Sequence, residues 1–216
     1  MKIAVIGRGG HSKVISDMIL SNKGFDIVGY LDDKYEDISL KENTYCAPIS
    51  AARRLIEYFN EIRFVIAIGD NKIRQSIVRR AKLPEEYYVR LIHQSAVISP
   101  SAKIGNGTVI MPNSVINADT EIGLHSIINT GSVKEHDCII GDFSHVCPGA
   151  TLAGAVHLDE GAFIGAGATV IPNRKIGEWT IIGAGATVIH DISSYCTAVG
   201  NPAKAKKINQ VRAKVN

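Results

Sequence analysis

A six-residue period runs through the second half of the chain and constrains the fold more than any other feature. From Ile98 onward every sixth position is aliphatic except Lys134, and no insertion resets the register. These positions, which we call the hexad ladder, are Ile98, Ile104, Ile110, Ile116, Ile122, Ile128, Lys134, Ile140, Val146, Leu152, Leu158, Ile164, Val170, Ile176, Ile182 and Val188. A fixed period of this length is the signature of a parallel β-helix, in which stacked repeats bury a continuous core. We therefore predict a triangular prism over residues 96–200, with three hexads in each coil and the ladder side chains inside.

The first 95 residues carry a different pattern, that of an α/β unit. An apolar run at 2–7 leads through Gly9 and Gly10 into an apolar-periodic segment that predicts a helix. Further buried-strand runs are predicted over 26–31 and 63–68, and a last strand over 88–92. A strand, a glycine turn and a helix open a Rossmann-like unit, whose helix N-terminus favours an anion. We predict a Rossmann-like nucleotide-binding domain over 1–95, and a tail or a short helix over 201–216.

Composition excludes several function classes. The net charge of +3 comes from scattered basic residues, so no nucleic-acid partner is expected. The apolar runs are too short to span a membrane, and the chain starts in a strand without a signal peptide. Four cysteines at irregular spacing fit neither a metal motif nor a disulfide framework. We expect a cytoplasmic protein that inserts in no membrane.

Six segments resemble the hexapeptide-repeat sugar acetyltransferases, in the branch that acts on sialic acids and bacillosamine-type amino sugars. They are 7–13 (GRGGHSK), 30–33 (YLDD), 67–71 (AIGDN), 129–137 (NTGSVKEHD), 141–146 (GDFSHV) and 199–204 (VGNPAK). The resemblance implies an all-β left-handed prism and a homotrimer. It also implies two ligands, acetyl-CoA as cosubstrate between neighbouring prisms and a UDP-linked amino sugar in the first domain.

The resemblance also implies which residues bind each ligand. The nucleotide sugar is expected to contact Gly9, Gly10, His11, Asp32, Asp33 and Gly69. Acetyl-CoA is expected to contact His145, Ala166 and Ala184. The last two are eighteen residues apart, which is one coil, so the period itself places them on one line along the prism.

His136 is the expected general base. It lies at a corner position of its hexad, and one coil further on lies Gly154, which leaves room beside the imidazole. An attacking amine must lose a proton as it becomes an amide, and histidine titrates near neutral pH. The flanking Glu135 and Asp137 are expected to hold a ring N–H, as the carboxylate of a catalytic triad does. In the family, the acidic residue that tunes the base matches Asp137.

The remaining titratable side chains of the prism are expected to have structural roles. Lys134 interrupts the hexad ladder at an inward position, where an unpaired ammonium is costly, so it is expected to reach Glu135 or a carbonyl. His125, His157 and His190 are expected at the surface.

These observations favour transfer of acetyl from acetyl-CoA to the amine of a UDP-linked amino sugar, for surface-glycan or exopolysaccharide synthesis, without a metal. One alternative is O-acetylation of a sialic-acid-like sugar. A γ-type carbonic anhydrase would need three histidines on one ion. The spacings among His125, His136, His145 and His157 are 11, 9 and 12, and none of these equals one coil. A non-catalytic nucleotide-sugar scaffold is the third alternative, and it does not explain a histidine flanked by two acids.

Overall fold

The computed structural model describes residues 1–59 and 61–208 and begins with a five-stranded sheet in the order β3-β4-β2-β1-β5. All neighbours are parallel except β3 and β4. The strands are β1 (Lys2–Ile6), β2 (Asp26–Leu31), β3 (Ser39–Lys41), β4 (Thr44–Ala47) and β5 (Ile62–Ile66). The helices are α1 (Gly10–Leu20), α2 (Ala52–Tyr58) and α3 (Asn71–Ala81).

Side chains of β1 alternate between two cores, as expected for a strand buried on both faces. Ile3 and Val5 pack with Ile15 of α1 in one cluster. Ala4 and Ile6 pack with residues of α2 and α3 in the other. The sheet therefore lies between α1 on one side and α2 with α3 on the other.

Each hexad of the second half forms a two-residue strand that ends on its ladder residue. The strands are β6 (Leu91–Ile92), β7 (Val97–Ile98), β8 (Lys103–Ile104), β9 (Val109–Ile110), β10 (Val115–Ile116), β11 (Glu121–Ile122), β12 (Ile127–Ile128), β13 (Val133–Lys134), β14 (Ile139–Ile140), β15 (His145–Val146), β16 (Thr151–Leu152), β17 (His157–Leu158), β18 (Phe163–Ile164), β19 (Thr169–Val170), β20 (Lys175–Ile176), β21 (Ile181–Ile182), β22 (Thr187–Val188), β23 (Cys196–Val199) and β24 (Lys204–Ile208). Strands eighteen residues apart pair in parallel, as Val133 does with Thr151. From Ile110 onward the ladder side chains are buried in one continuous core, with Lys134 among them.

Three sheets form the faces of the prism, and their outward side chains differ. The docked face consists of β6, β9, β12, β15, β18, β21, β23 and β24. The neutral face consists of β7, β10, β13, β16, β19 and β22, and its outward residues are Val97, Val115, Val133, Thr151, Thr169 and Thr187. The charged face consists of β8, β11, β14, β17 and β20, and its outward residues are Lys103, Glu121, Ile139, His157 and Lys175.

The N-terminal domain covers part of the docked face. Val109 and Met111 of the prism belong to the same buried cluster as Ile3 and Val65 of the α/β sheet. The two units therefore share a hydrophobic core, and the carboxyl end of β5 lies against the prism.

The ends of the prism differ from the sequence expectations. The run 88–92 does not form one strand, because Tyr88 bridges Phe64 whereas Leu91–Ile92 pairs with β9 of the prism. A tail or a short helix is predicted over 201–216, yet Lys204–Ile208 forms a strand antiparallel to β23. Residues 209–216 lie outside the described residues. Within residues 1–59 and 61–208 no helix is both long and apolar enough to cross a membrane.

Candidate functional site

His136 lies in the turn between β13 and β14, at the corner where the neutral and charged faces meet. We call this turn and those stacked on it the His136 corner. The imidazole is exposed, and its Nδ1 lies 2.7 Å from Oδ2 of Asp137. An ionised carboxylate only accepts hydrogen bonds, so Nδ1 carries the hydrogen. Among the residues that the structure describes, none bonds to Nε2, so its lone pair is free.

Gly154 lies directly beneath this imidazole. A Cβ atom added to Gly154 would lie 2.7 Å from both Cε1 and Nε2 of His136. Because real Cβ atoms are essentially never found this close to another atom, a side chain at Gly154 would force the imidazole to move. The absence of a side chain at Gly154 thus allows the ring to stay where Asp137 holds it.

Glu135 does not share the role predicted for it. Its Oε2 accepts a hydrogen bond from Nδ2 of Asn117, one coil back, at 2.9 Å. Consecutive residues of a corner turn point in different directions, so only one of the two acids faces the ring. Asp137 is that acid.

Lys134 points into the prism, as its place in the hexad ladder predicts. Its Nζ donates to the carbonyl oxygen and to Oγ of Ser132, both at 2.9 Å, so it finds a carbonyl and not Glu135. Burial lowers the pKa of Lys134 to about 7. The amine therefore lies within the core and away from the imidazole edge that faces Gly154.

His145 projects from the docked face but is buried beneath the N-terminal domain. Its Nδ1 lies 3.2 Å from the carbonyl oxygen of Gly69, and its Nε2 lies 3.0 Å from Nδ2 of Asn129. A carbonyl can only accept and an amide NH₂ can only donate, so His145 is the neutral Nδ1–H tautomer. Burial, followed by the charge of Arg74, lowers the pKa of His145 to about 3. His145 therefore offers no free lone pair for a proton.

Ala166 and Ala184 stack on the corner between the docked and neutral faces, which we call the alanine corner. Both are exposed, and Gly185 donates its N–H to the carbonyl of Ala166 at 2.9 Å. In the described part of the chain, the N–H groups of Ala166 and Ala184 donate no hydrogen bond. Two free donors one coil apart suit an extended chain with amide carbonyls, such as the pantetheine arm of CoA.

The glycine turn at the carboxyl end of β1 leaves its backbone accessible. Gly9 is the N-cap of α1, no side chain caps this helix end, and a Cβ at Gly9 or Gly10 would meet nothing within 4 Å. Oδ2 of Asp32 accepts from the backbone N–H of Arg8 at 2.9 Å, which ties the turn to the end of β2. Uncapped N–H groups at a helix start are an anion site.

Two other predicted nucleotide contacts have different surroundings. Asp33 is exposed and forms an ion pair with Arg80 at 2.9 Å. His11 is partly buried, its Nε2 has no partner among the described residues, and burial and the nearby Arg74 lower its pKa. The charge of Arg74 also lowers the pKa of His145, so the rings of His11 and His145 both lie near one guanidinium.

A cavity beside the glycine turn was not predicted. The guanidinium of Arg8 lies over the ring of Tyr30 and donates to the hydroxyl of Tyr35 at 2.6 Å. The cavity has a volume of about 300 Å³ and is lined by Arg8, Tyr30, Lys41, Glu42, Thr44 and Cys46. Its position next to Asp32 suits the base or ribose of a nucleotide.

The structure brings some of the predicted residues together and separates others. Gly69 of the expected acceptor site touches His145 of the expected coenzyme site. Within one chain, however, His136 and Ala166 occupy different corners, on either side of the neutral face.

His125 is a correction to the sequence expectation. It is fully buried, stacks on Phe143 and lies edge-on to Tyr88, and its Nε2 is 3.1 Å from Oε2 of Glu85. Burial, followed by the charge of Arg74, lowers the pKa of His125 to about 4. The segment that contains Glu85 and Tyr88 precedes the prism and packs over this corner, so it buries His125. The hexad period contains no information about this packing. Among the described residues, no group of three His, Cys, Asp or Glu side chains is placed to hold a metal ion.

Two family models match the chain. The model of the PglD N-terminal domain matches residues 2–81, and that of the bacterial transferase hexapeptide (six repeats) matches residues 155–190. The solved structure of PerB from Caulobacter crescentus, in complex with CoA and GDP-perosamine, is 37% identical. It superimposes with a TM-score of 0.85 over 96% of this chain and 98% of that one. The chain belongs to the hexapeptide-repeat sugar N-acetyltransferases.

Two further acetyltransferases support this assignment. The acetyltransferase domain of PglB from Neisseria gonorrhoeae, in complex with acetyl-CoA, is 35% identical over 95% of this chain and 98% of that one, with a TM-score of 0.81. UDP-N-acetylbacillosamine N-acetyltransferase from Bacillus subtilis (strain 168) is 44% identical over 109 residues. That match spans half the length of this chain and half the length of the curated relative. The family resemblance and the fold class, a Rossmann-like domain followed by a left-handed β-helix, are thus confirmed.

Proposed function

We propose that this sugar N-acetyltransferase moves the acetyl group of acetyl-CoA to the amine of a nucleotide-linked amino sugar, with His136 as general base. The observation that carries the proposal is the free lone pair on Nε2 of His136. Asp137 sets this tautomer, and the ring is exposed above Gly154, where two substrates have room to meet. The relatives support the reaction class, because they are N-acetyltransferases and their structures contain CoA or acetyl-CoA.

The chemistry needs one proton to pass from the amine to the leaving thiolate through this atom. The amine nitrogen attacks the thioester carbonyl carbon, a C–N bond forms, and the nitrogen gives a proton to Nε2 of His136. The C–S bond then breaks, and the CoA thiolate takes that proton from the imidazolium. Asp137 holds the ring in one orientation and stabilises the imidazolium while it exists.

The alanine corner supports a coenzyme site. The free N–H groups of Ala166 and Ala184 form a line of donors for the pantetheine amides. His145 lies on the adjoining docked face and is buried, so it would support the coenzyme site by holding Asn129 and Gly69, to which it is hydrogen-bonded.

The glycine turn supports an acceptor site. In this proposal the pyrophosphate binds the N-terminus of α1 at Gly9, Gly10 and His11, and the nucleoside lies near Asp32 and Asp33. Gly69 then lies between the sugar and His145. We propose UDP as the nucleotide. The GDP-perosamine bound to PerB makes GDP the comparison to test.

A homotrimer completes the site. The His136 corner and the alanine corner flank the neutral face, which has no charged outward side chain. Three prisms with neutral faces toward one axis place the His136 corner of each chain beside the alanine corner of the next. We place the enzyme in the cytoplasm, where acetyl-CoA and nucleotide sugars are made.

A thiol-release assay against UDP- and GDP-linked 3-amino and 4-amino sugars tests the function. We expect release with one class of amino sugar and none with its hydroxyl counterpart. His136→Ala should lower kcat about 10²–10⁴-fold, as loss of a general base does, with little change in KM for acetyl-CoA.

His190 offers a matched control, because it lies on the same corner three coils away and is also exposed. His190→Ala should retain wild-type kcat. A His136→Ala enzyme with more than a tenth of wild-type kcat would rule out the assigned base.

A further inference from the structure

Arg74 is the largest fully buried side chain of the described residues, and no carboxylate pairs with it. It projects from α3 toward the prism and is 1% exposed. A buried guanidinium is costly unless each of its five N–H donors finds an acceptor. Six acceptor oxygens surround it, and five of them are backbone carbonyls.

The acceptors come from both units of the molecule. On the N-terminal side, Nη1 donates to the carbonyls of Ile68 at 3.1 Å and Gly69 at 3.3 Å. On the prism side, Nε donates to the carbonyl of His125 at 2.7 Å, and Nη2 donates to that of Phe143 at 2.8 Å. Nη2 also contacts the carbonyl of Ser144 at 3.3 Å. One side chain therefore links the end of β5 to two stacked coils.

Asn71 extends this link. Its Oδ1 accepts from Nη2 of Arg74 at 2.9 Å, and its Nδ2 donates to the carbonyl of Gly161 at 3.1 Å. Asn71 itself is buried. The first turn of α3 is thus tied to a third coil of the prism.

The contact between Gly69 and His145 is held at both ends by this guanidinium. The carbonyl of Gly69 accepts from Nδ1–H of His145 and from Arg74. The carbonyl of Ser144, which directly precedes His145, also lies within reach of Arg74. Any shift of the end of β5 relative to the prism would break several of these bonds together.

We propose that Arg74 is a positioning residue that fixes the acceptor-side loop at Gly69 against His145, so that the bound amine and the thioester meet at one separation. This inference rests on the proposed function. Arginine suits the role because its planar fork presents five donors in fixed directions, whereas lysine presents three from one atom. Burial lowers the pKa of Arg74 to about 9, so it stays charged at neutral pH.

The experiment compares Arg74→Met and Arg74→Lys with Arg79→Met. Arg79 lies on the same helix and is exposed, so its variant controls for the substitution. In folded Arg74→Met we expect kcat at saturating substrates to fall about 10–100-fold, the effect of a misplacement near 1 Å. The Kd for UDP alone should change less than about threefold, because among the described residues Arg74 forms no hydrogen bond with Gly9, Gly10 or His11. Arg74→Lys should recover only part of kcat.

Nitrogen NMR of the histidine rings supplies a readout that stability alone does not move. In the wild type, His145 should show an Nδ1–H tautomer that persists to low pH, and Arg74→Met should lose it. If folded Arg74→Met keeps both this signal and kcat within twofold of wild type, the proposal is wrong. Should Arg74→Met fail to fold, Arg74→Lys decides by the same two measurements.

The outcome also separates this inference from the proposed function. A wild-type enzyme that acetylates no amino sugar would remove the proposed function. The His145 signal would still test the contact, because it is measured without turnover. Loss of that signal in the Arg74 variants would support the positioning role, and its persistence would contradict it.

Discussion

His136 and His145 lie nine residues apart on the prism, and their surroundings give them opposite chemistry. His136 is exposed, and within the described part of the chain its ring bonds only to the carboxylate of Asp137, so Nε2 can take a proton. His145 is buried, and both its nitrogens are hydrogen-bonded. The motifs around them predict that both belong to the site. Both rings carry a hydrogen on Nδ1, so their roles are separated by the burial of His145 and by its hydrogen bonds with Gly69 and Asn129, which only the fold brings near it.

At the residue scale, Gly154→Ala should impair catalysis without unfolding the prism. The added Cβ would lie 2.7 Å from Nε2 of His136, and the exposed imidazole would move away from Asp137. We expect kcat to fall about tenfold, less than the roughly 10²–10⁴-fold effect of losing the base, because the imidazole is displaced and not removed. The melting temperature should stay near that of wild type.

Gly24→Ala is the control for this change, since the nearest atom to its new Cβ would be 3.8 Å away. It should retain full activity. An unchanged kcat in Gly154→Ala would show that the position of the imidazole above Gly154 has no catalytic importance.

Because Lys134 is buried, we expect the free energy of unfolding to depend on pH. Its pKa is 10.5 in an unfolded chain and is lowered to about 7 by burial, so between these values the folded state binds fewer protons. Stability should therefore fall as the pH drops from 10.5 to 7, and this loss should be complete below pH 7. In Lys134→Met the free energy of unfolding should not show this fall between pH 10.5 and pH 7.

Denaturant unfolding at pH 7 and pH 9.5 measures this effect. At pH 7 Lys134→Met should be more stable than wild type by about 1–4 kcal/mol, the range found when a buried ion pair is replaced by apolar side chains. The difference should shrink at pH 9.5. A variant less stable than wild type at pH 7 would mean that the hydrogen bonds to Ser132 outweigh the cost of burying the amine.

At the element scale, the hexad period predicts the strands of the prism because each repeat has the same residue pattern and therefore the same local structure. All sixteen ladder positions end a strand. The two ends are less predictable. Ile92 lies six residues before Ile98 and pairs with Ile110 one coil on, so the prism begins one hexad earlier than predicted. Lys204–Ile208, in contrast, becomes a strand only by pairing with the edge of β23. Edge pairing is a non-local effect that periodicity does not encode.

The inward-facing stripe of helix α3 contains Arg74, a residue that the sequence analysis did not single out. Asn71, Arg74, Ile77 and Ala81 are its buried residues, so two polar side chains lie on the stripe that faces inward. A charged residue at a core position of a helix indicates a buried polar network. The sequence cannot show that its acceptors are carbonyls of a second unit.

Helix α1 gives the cleanest test of the acceptor site. A Cβ at Gly10 would meet nothing within 4 Å, so Gly10→Val should fold normally yet block the approach of a pyrophosphate to the helix N-terminus. We expect a rise in acceptor KM of at least tenfold. Binding of acetyl-CoA, measured by calorimetry, should not change.

Asp32→Ala is a less selective variant, because the carboxylate also accepts from the N–H groups of Arg8 and Lys34 and so shapes the turn. Val14→Ala is a suitable control for Gly10→Val, since Val14 is exposed on the same helix. Normal acceptor binding by Gly10→Val would mean that the N-terminal domain does not hold the nucleotide.

At the scale of the whole molecule, the neutral face supports the proposed homotrimer. It presents three valines and three threonines, and Val97 is 62% exposed. The charged face of the same prism carries lysine and glutamate side chains. A sheet face without charges that lies between the two halves of a site indicates contact with further copies of the chain.

Mixing two inactive variants tests whether the halves come from different chains. His136→Ala removes the base, and Ala184→Glu places a charge where the coenzyme arm is expected, so each homotrimer should be inactive. In trimers reassembled from an equal mixture, a site takes the His136 corner from one chain and the alanine corner from the next. Both halves are then intact in about one quarter of the sites. Activity should return to about that fraction of wild type, with light scattering to verify the trimer mass. A site built within one chain would always carry one of the two defects, and the mixture would stay inactive.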